Sequence, residues 1–123
     1  MVKGTLLAES LQIGAEVSVA GLRLTRVCRR DVSASVSPAQ QSVWTFLDFE
    51  TDDEAAGPLA ESLARALLAE GGWYADFWVG DDHVVVFFRK VFRYQRGDQD
   101  GRAEAMAYGR AVGVPEHQLD WPG

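Results

Sequence analysis

The stretch Gly72–Tyr94, GWYADFWVGDDHVVVFFRKVFRY, predicts the hairpin around which the rest of the chain folds. It holds two of the four Trp, two of the three Tyr and four of the six Phe. Trp73–Val79 is aromatic and β-branched, and Val84–Phe88 is an unbroken apolar run, which is typical of a strand buried on both faces. Between them lies Gly80-Asp81-Asp82, a turn sequence, because Gly tolerates positive φ and Asp can bond its own backbone.

Beyond Phe88 the apolar run gives way to an alternating pattern. Phe92 and Tyr94 are predicted to share one face and Val91 and Arg93 the other, with one of the two faces solvated. A tight turn near Arg89-Lys90 would divide the stretch into two strands, although no Gly or Pro marks it.

Composition predicts one globular domain, residues 1–123, with 47% hydrophobic and 24% charged residues. The net charge of −6 disfavours nucleic acid as a partner. Cys28 is the single cysteine, so no internal disulfide forms and a reducing compartment is expected. No secretory signal and no apolar run long enough for a membrane helix are present, which predicts a cytoplasmic protein with no membrane partner. Ten Arg against two Lys is typical of a high-GC bacterial genome.

The first half of the chain is predicted to be mainly strands. Leu22–Arg30 alternates and is expected to form a hairpin with Glu16–Ala20, whereas Thr5–Ile13 fits a short strand or a helical turn equally. Residues 31–42, DVSASVSPAQQS, lack large apolar side chains and are predicted to form a flexible loop. Val43–Glu50 follows as a strand rich in aromatic residues.

Two helices are predicted. The first begins either with a capping box at Thr51–Glu54 or near Gly57, with Pro58 as its first residue, and it ends at Gly71-Gly72. Its apolar stripe repeats every fourth residue, at Leu59, Leu63 and Leu67. The second helix covers Gly101–Val112, with Asp100 as its N-cap.

This order of elements predicts an α+β fold. Adjacent strands joined by short turns favour a single antiparallel sheet, or a mixed one, of five or six strands. Both helices are expected to pack on one face of that sheet.

One candidate binding surface is an acidic-aromatic face on the strand Val43–Glu50. Alternation places four side chains on the same side of this strand: Trp44, Phe46, Asp48 and Glu50. Such a face fits a basic protein partner. The wider acidic cluster, which includes Asp52–Glu54, is also compatible with a divalent cation, but helix capping explains most of it.

Two further surfaces are candidates. Trp73, Tyr74 and Trp78 are predicted to line an aromatic pocket between sheet and helix. The only local basic run, interleaved with aromatic residues, is a candidate patch for single-stranded nucleic acid and consists of Arg89, Lys90, Arg93 and Arg96. Rows of Arg on an edge strand also prevent edge-to-edge aggregation, and this explanation is preferred.

No catalytic residue, metal site or cofactor is predicted. Asp81, Asp82 and His83, with Asp76 across the hairpin, contain groups for acid–base or metal chemistry, but a plain turn explains them better. Cys28 is expected to be a packed, inert thiol. The chain contains no P-loop, GxGxxG, HExxH, CxxC or GxSxG motif.

The favoured hypothesis is a small, acidic bacterial protein without catalytic activity. It binds a basic protein partner, or a second copy of itself, through the acidic-aromatic face. The first alternative is a sensor or carrier of a small ligand, with an aromatic pocket. The second is a small metal-dependent hydrolase or nuclease that uses carboxylates.

Overall fold

The computed structural model describes residues 1–36, 38 and 40–121 and shows one six-stranded antiparallel sheet with two α-helices. The strands are Val2–Leu7 (β1), Arg23–Asp31 (β2), Val43–Thr51 (β3), Ala75–Val79 (β4), Asp82–Phe87 (β5) and Lys90–Gln95 (β6). The helices are Ala56–Ala66 (α1) and Gln99–Ala111 (α2). The strand order is β2-β3-β1-β4-β5-β6, and every neighbouring pair is antiparallel. The predicted α+β class is confirmed.

The predicted hairpin is β4–β5, and the proposed division near Arg89 is confirmed. Gly80 turns the chain between β4 and β5 with a φ of 58°. Arg89 has the same positive φ without being glycine, an unfavourable conformation for a residue with a side chain. Its amide donates a hydrogen bond of 2.8 Å to the carbonyl of Ala64 in α1, and its guanidinium lies over the ring of Phe88. These two contacts stabilise a turn that the local sequence does not mark.

The two helices lie on opposite faces of the sheet, so the prediction that both pack on one face is wrong. Val84 and Val86 join α1 in one core, on what we call the first face. Val85 and Phe87 join Ala105 of α2 in a second core, on the second face. Since side chains alternate along a strand, an unbroken apolar run in β5 requires cover from both sides.

The centre of the sheet is β1, which the sequence left ambiguous. It lies between β3 and β4, while β2 forms one edge of the sheet. The predicted hairpin between Glu16–Ala20 and the following strand does not form, because residues 15–19 adopt no strand and β2 pairs with β3 instead. Val17 and Val19 pack against the core of the first face from a loop.

The helix starts also differ from the prediction. A 3₁₀ turn, Asp53–Ala55, precedes α1, and no side chain caps either element, so the capping box is absent. The start of α1 at Ala56 is close to the alternative near Gly57. Asp98, not Asp100, caps α2 by accepting a 3.0 Å hydrogen bond from the amide of Gly101.

The loop 31–42 contacts the C-terminal segment. Ser35 offers its carbonyl oxygen to the side chains of His117 and Gln118, and Gln40 is buried. Ser37 and Ala39 lie outside the described residues, and the predicted flexibility of this loop stays a prediction. In the described part of the chain, no helix has the length and apolar character needed to cross a membrane.

Candidate functional site: an aromatic cleft

A cleft of about 340 Å³ opens on the second face, at the end of the sheet region that α2 and the C-terminal segment cover. We call it the aromatic cleft. Four aromatic side chains line it, namely Trp44, Phe46, Trp73 and Tyr74. The polar side chains in its lining are those of Thr5, Ser35, Gln40, Asp76, His117, Gln118 and Asp120.

The strand order brings the aromatic residues together. Because β1 lies between β3 and β4, Leu7 pairs with Phe46 on one side, and Thr5 pairs with Asp76 on the other. The ring centroids of Trp44 and Trp73 are 5.5 Å apart, a distance typical of a favourable aromatic pair. The indole nitrogen of Trp44 donates a 2.9 Å hydrogen bond to the carbonyl of Gln41, which fixes the ring.

The C-terminal segment forms the rim of the cleft. A 3₁₀ turn, Glu116–Gln118, places the carbonyl of Gln118 3.1 Å from the hydroxyl of Tyr74, which donates to it. Asp120 follows this turn and is exposed, whereas its neighbours Leu119 and Trp121 are buried in the core of the second face. The apolar neighbours therefore anchor a carboxylate at the mouth of the cleft.

A buried hydrogen-bonded chain supports Asp76, the acidic residue of β4 in the cleft. Nε2 of His83 lies 2.7 Å from Oδ2 of Asp76, and Nδ1 lies 2.7 Å from the hydroxyl of Tyr94. His83 is fully buried and stacks on Trp78 at 4.6 Å between centroids. A carboxylate accepts hydrogen bonds, so Nε2 of His83 donates to Asp76, and the hydroxyl of Tyr94 is the partner of Nδ1. Both ring nitrogens of His83 therefore have a hydrogen-bond partner.

Tyr74 gives the cleft a measurable pH dependence. Burial, with the negative charges of Asp76 and Asp120, raises the pKa of its hydroxyl from 10.0 to about 12. The folded state holds this proton more tightly than the unfolded state. The contribution of Tyr74 to stability is therefore complete below pH 10 and is lost as the pH rises toward 12.

We expect Tyr74→Phe to reduce the fall in unfolding free energy between pH 10 and pH 12. At neutral pH the variant should be about 1 kcal/mol less stable, because the hydrogen bond to Gln118 is lost. Urea unfolding at a series of pH values checks both expectations. The part of the fall that remains is assigned to Tyr94, whose pKa burial also raises. An unchanged alkaline slope in the variant would contradict the assignment to Tyr74.

The acidic-aromatic face is divided by the structure. Its four residues do share one side of β3, but only Trp44 and Phe46 line the cleft. Asp48 accepts hydrogen bonds from Thr5 at 2.7 Å and from Arg26 at 2.8 Å, and these contacts lower its pKa. Glu50 lies 3.7 Å from Arg23, and the guanidinium of Arg30 lies over Phe46. The edge strand β2 therefore supplies arginines to a face predicted to be acidic.

The predicted aromatic pocket also differs in place. Trp73 and Tyr74 line the cleft, which lies between the sheet and the C-terminal turn and not between sheet and helix. Trp78 is outside it, between His83 and the guanidinium of Arg96, which lies 4.4 Å from its ring centroid.

The predicted basic run is not a single patch. Lys90 and Phe92 share the second face of β6, whereas Arg93 points to the first face and bonds Asp82 at 2.7 Å. Arg89 lies in the preceding turn. Arg29 and Arg30, the other adjacent pair of basic residues, lie on β2, at the opposite edge of the sheet from β6.

Sequence reasoning connected Asp76 with His83 but missed Tyr94 as the third member of the chain. The alternation in β6 could have indicated this contact, because Tyr94 lies on the same face of the sheet as its cross-strand partner His83. Cys28 is half-buried and accepts a hydrogen bond from Arg30, so it is less enclosed than predicted.

Within the described residues, no group of three His, Cys, Asp or Glu side chains is arranged to hold a metal ion. Searches among protein-family models, curated proteins and solved structures found no match to the chain. A functional assignment therefore depends on the geometry of the cleft.

Proposed function

We propose that the protein binds a small organic molecule in the aromatic cleft. The observation that carries this proposal is the convergence of four aromatic side chains from two distant segments around an open volume of about 340 Å³. That volume falls within the range of small-molecule sites, which combine apolar walls with a few oriented polar groups. Asp76, Tyr74 and Gln118 are such groups, because hydrogen bonds fix each of their side chains.

A protein partner at the acidic-aromatic face stays a prediction with less support. A basic partner would have to displace Arg23 and Arg26 from Glu50 and Asp48 before it could bind these carboxylates. A separate observation favours contact with a protein partner, or with a second copy of this chain, at the β2 edge of the sheet. Three apolar side chains near the β2 edge are exposed, namely Leu24, Val27 and Val43.

We expect a ligand of the cleft to raise the melting temperature of the protein. A compound at about 100 times its Kd adds about 2.7 kcal/mol to the unfolding free energy. A panel of neutral, cationic and anionic aromatic fragments, screened by thermal melting, measures this directly. Phe46→Ala should remove the increase, since it removes one wall of the cleft. Val91→Ala, an exposed substitution on the far edge of the sheet, should keep it. A panel with no effect on the wild-type protein would contradict the proposed function.

A further inference from the structure

The charge of the cleft is uneven. Asp76 and Asp120 both line it. The negative charges of both also raise the pKa of the Tyr74 hydroxyl, so both carboxylates act on the same part of the cleft. No Arg or Lys is found among the described residues of the lining. The single basic side chain there, His117, has its Nε2 bound to the carbonyl of Ser35 at 2.7 Å. The field within the cleft therefore favours a positive charge.

Asp76 is held in place within the cleft by a buried hydrogen-bond partner. Its side chain is 36% exposed, whereas His83, its partner, is fully buried. The hydrogen bond from Nε2 engages one oxygen of the carboxylate, Oδ2. Tyr94 holds the imidazole from its other side, and Trp78 stacks on its face. A ligand in the cleft can reach the carboxylate but not the imidazole, so His83 is a positioning residue for Asp76.

The aromatic walls complement such a charge. The π faces of Trp, Tyr and Phe attract ammonium and guanidinium groups, more strongly where water is excluded. Phe46 already makes a contact of this kind within the protein, since the guanidinium of Arg30 lies 5.3 Å from its ring centroid. Trp44 and Trp73 are nearly buried, so the protein excludes water from most of both rings.

We propose that the aromatic cleft takes a small organic cation, with an ammonium group against Asp76 and an apolar portion against Trp44, Phe46 and Tyr74. This inference depends on the proposed function and specifies the chemical class of its ligand. The same hydrogen-bonded chain gives the buried His83 a role, since it fixes the carboxylate that a cation would contact.

Three compounds of similar size but different charge test this inference: phenethylammonium, 2-phenylethanol and phenylacetate. Calorimetric titration should give the cation an affinity about tenfold higher than that of the alcohol, with the anion weakest. Asp76→Asn should reduce the affinity for the cation about tenfold and leave the alcohol unchanged. The amide oxygen of the variant can still accept from His83, so the fold should survive. Asp82→Asn removes a carboxylate of the same hairpin that bonds Arg93 outside the cleft, and it should change neither affinity.

The outcomes separate the inference from the proposed function. Equal binding of cation and alcohol, or a cation affinity that Asp76→Asn does not change, would overturn the inference and leave the proposed function standing. Tighter binding of phenylacetate would overturn it in the same way. Failure of all three compounds, together with a fragment panel that does not raise the melting temperature, would overturn both.

Discussion

His83→Ala is expected to lower the unfolding free energy by about 4 kcal/mol. The substitution removes a fully buried ring that stacks on Trp78 and contacts Tyr94 edge-on, which leaves a cavity. It also leaves the buried Tyr94 hydroxyl without its 2.7 Å partner, and an unsatisfied buried group costs about 1–3 kcal/mol. Equilibrium unfolding in urea measures the loss.

His117→Ala provides the matched control for this substitution. His117 is exposed, and its one described contact is a surface hydrogen bond to Ser35, so we expect a change within about 0.5 kcal/mol. A loss below about 1 kcal/mol for His83→Ala would show that the buried chain does not form. In that case the orientation of Asp76, and the inference that rests on it, would fall as well.

Gly4→Val is expected to cost about 3 kcal/mol, although valine is a better strand former than glycine. Gly4 lies on β1 between Phe49 of β3 and Phe77 of β4, and these two rings meet edge-to-face above it. A Cβ at this position would lie 2.6 Å from Cβ of Phe77 and 2.7 Å from the carbonyl oxygen of Asp76. The backbone oxygen cannot move without disturbing the β1–β4 ladder at the base of the cleft.

The neighbouring substitution Lys3→Val is the control for Gly4→Val. Lys3 is exposed on the same strand, so its replacement should change the unfolding free energy by no more than about 0.5 kcal/mol. Thermal or urea unfolding of the two variants gives the comparison. Equal stability of Gly4→Val and the wild-type protein would mean that β1 does not occupy the centre of the sheet.

Gly4 also shows why strand β1 could not be predicted from the sequence alone. The strand β1 carries Lys3 and Gly4, and it pairs only with partners 39 or more residues away. Local alternation is weak there, and what fixes the strand is the fit of two distant Phe rings. By contrast, the β4–β5 hairpin depends on contacts close in sequence and on a Gly turn, and it was predicted correctly.

The placement of the helices was within reach of the sequence. The run Val84–Phe88 was predicted to be buried on both faces, which is confirmed for Val84–Phe87, and such burial requires cover on each side of the sheet. The capping box predicted at Thr51–Glu54 was wrong, because the Thr51 side chain is buried and makes no capping hydrogen bond. Tertiary packing of Thr51 therefore overrides the local capping signal.

The cleft was predicted in two separate halves. Trp44 and Phe46 were assigned to one surface, and Trp73 and Tyr74 to another. They meet because β1 inserts between β3 and β4, an arrangement that neither half of the sequence encodes locally. The C-terminal rim of the cleft was not predicted for the same reason. Asp120 lies at the cleft because its neighbours Leu119 and Trp121 are buried in the core of the second face, which is a long-range contact.

The most direct test of the cleft is a ¹H–¹⁵N spectrum of the four Trp indole N–H groups, recorded while phenethylammonium is added. A ligand seated in the cleft will move the signals of Trp44 and Trp73 together and to saturation. The signal of Trp78, which lies outside the cleft, will stay in place. Equal movement at Trp78, or binding by calorimetry with no movement at Trp44 and Trp73, would contradict a ligand site in the aromatic cleft.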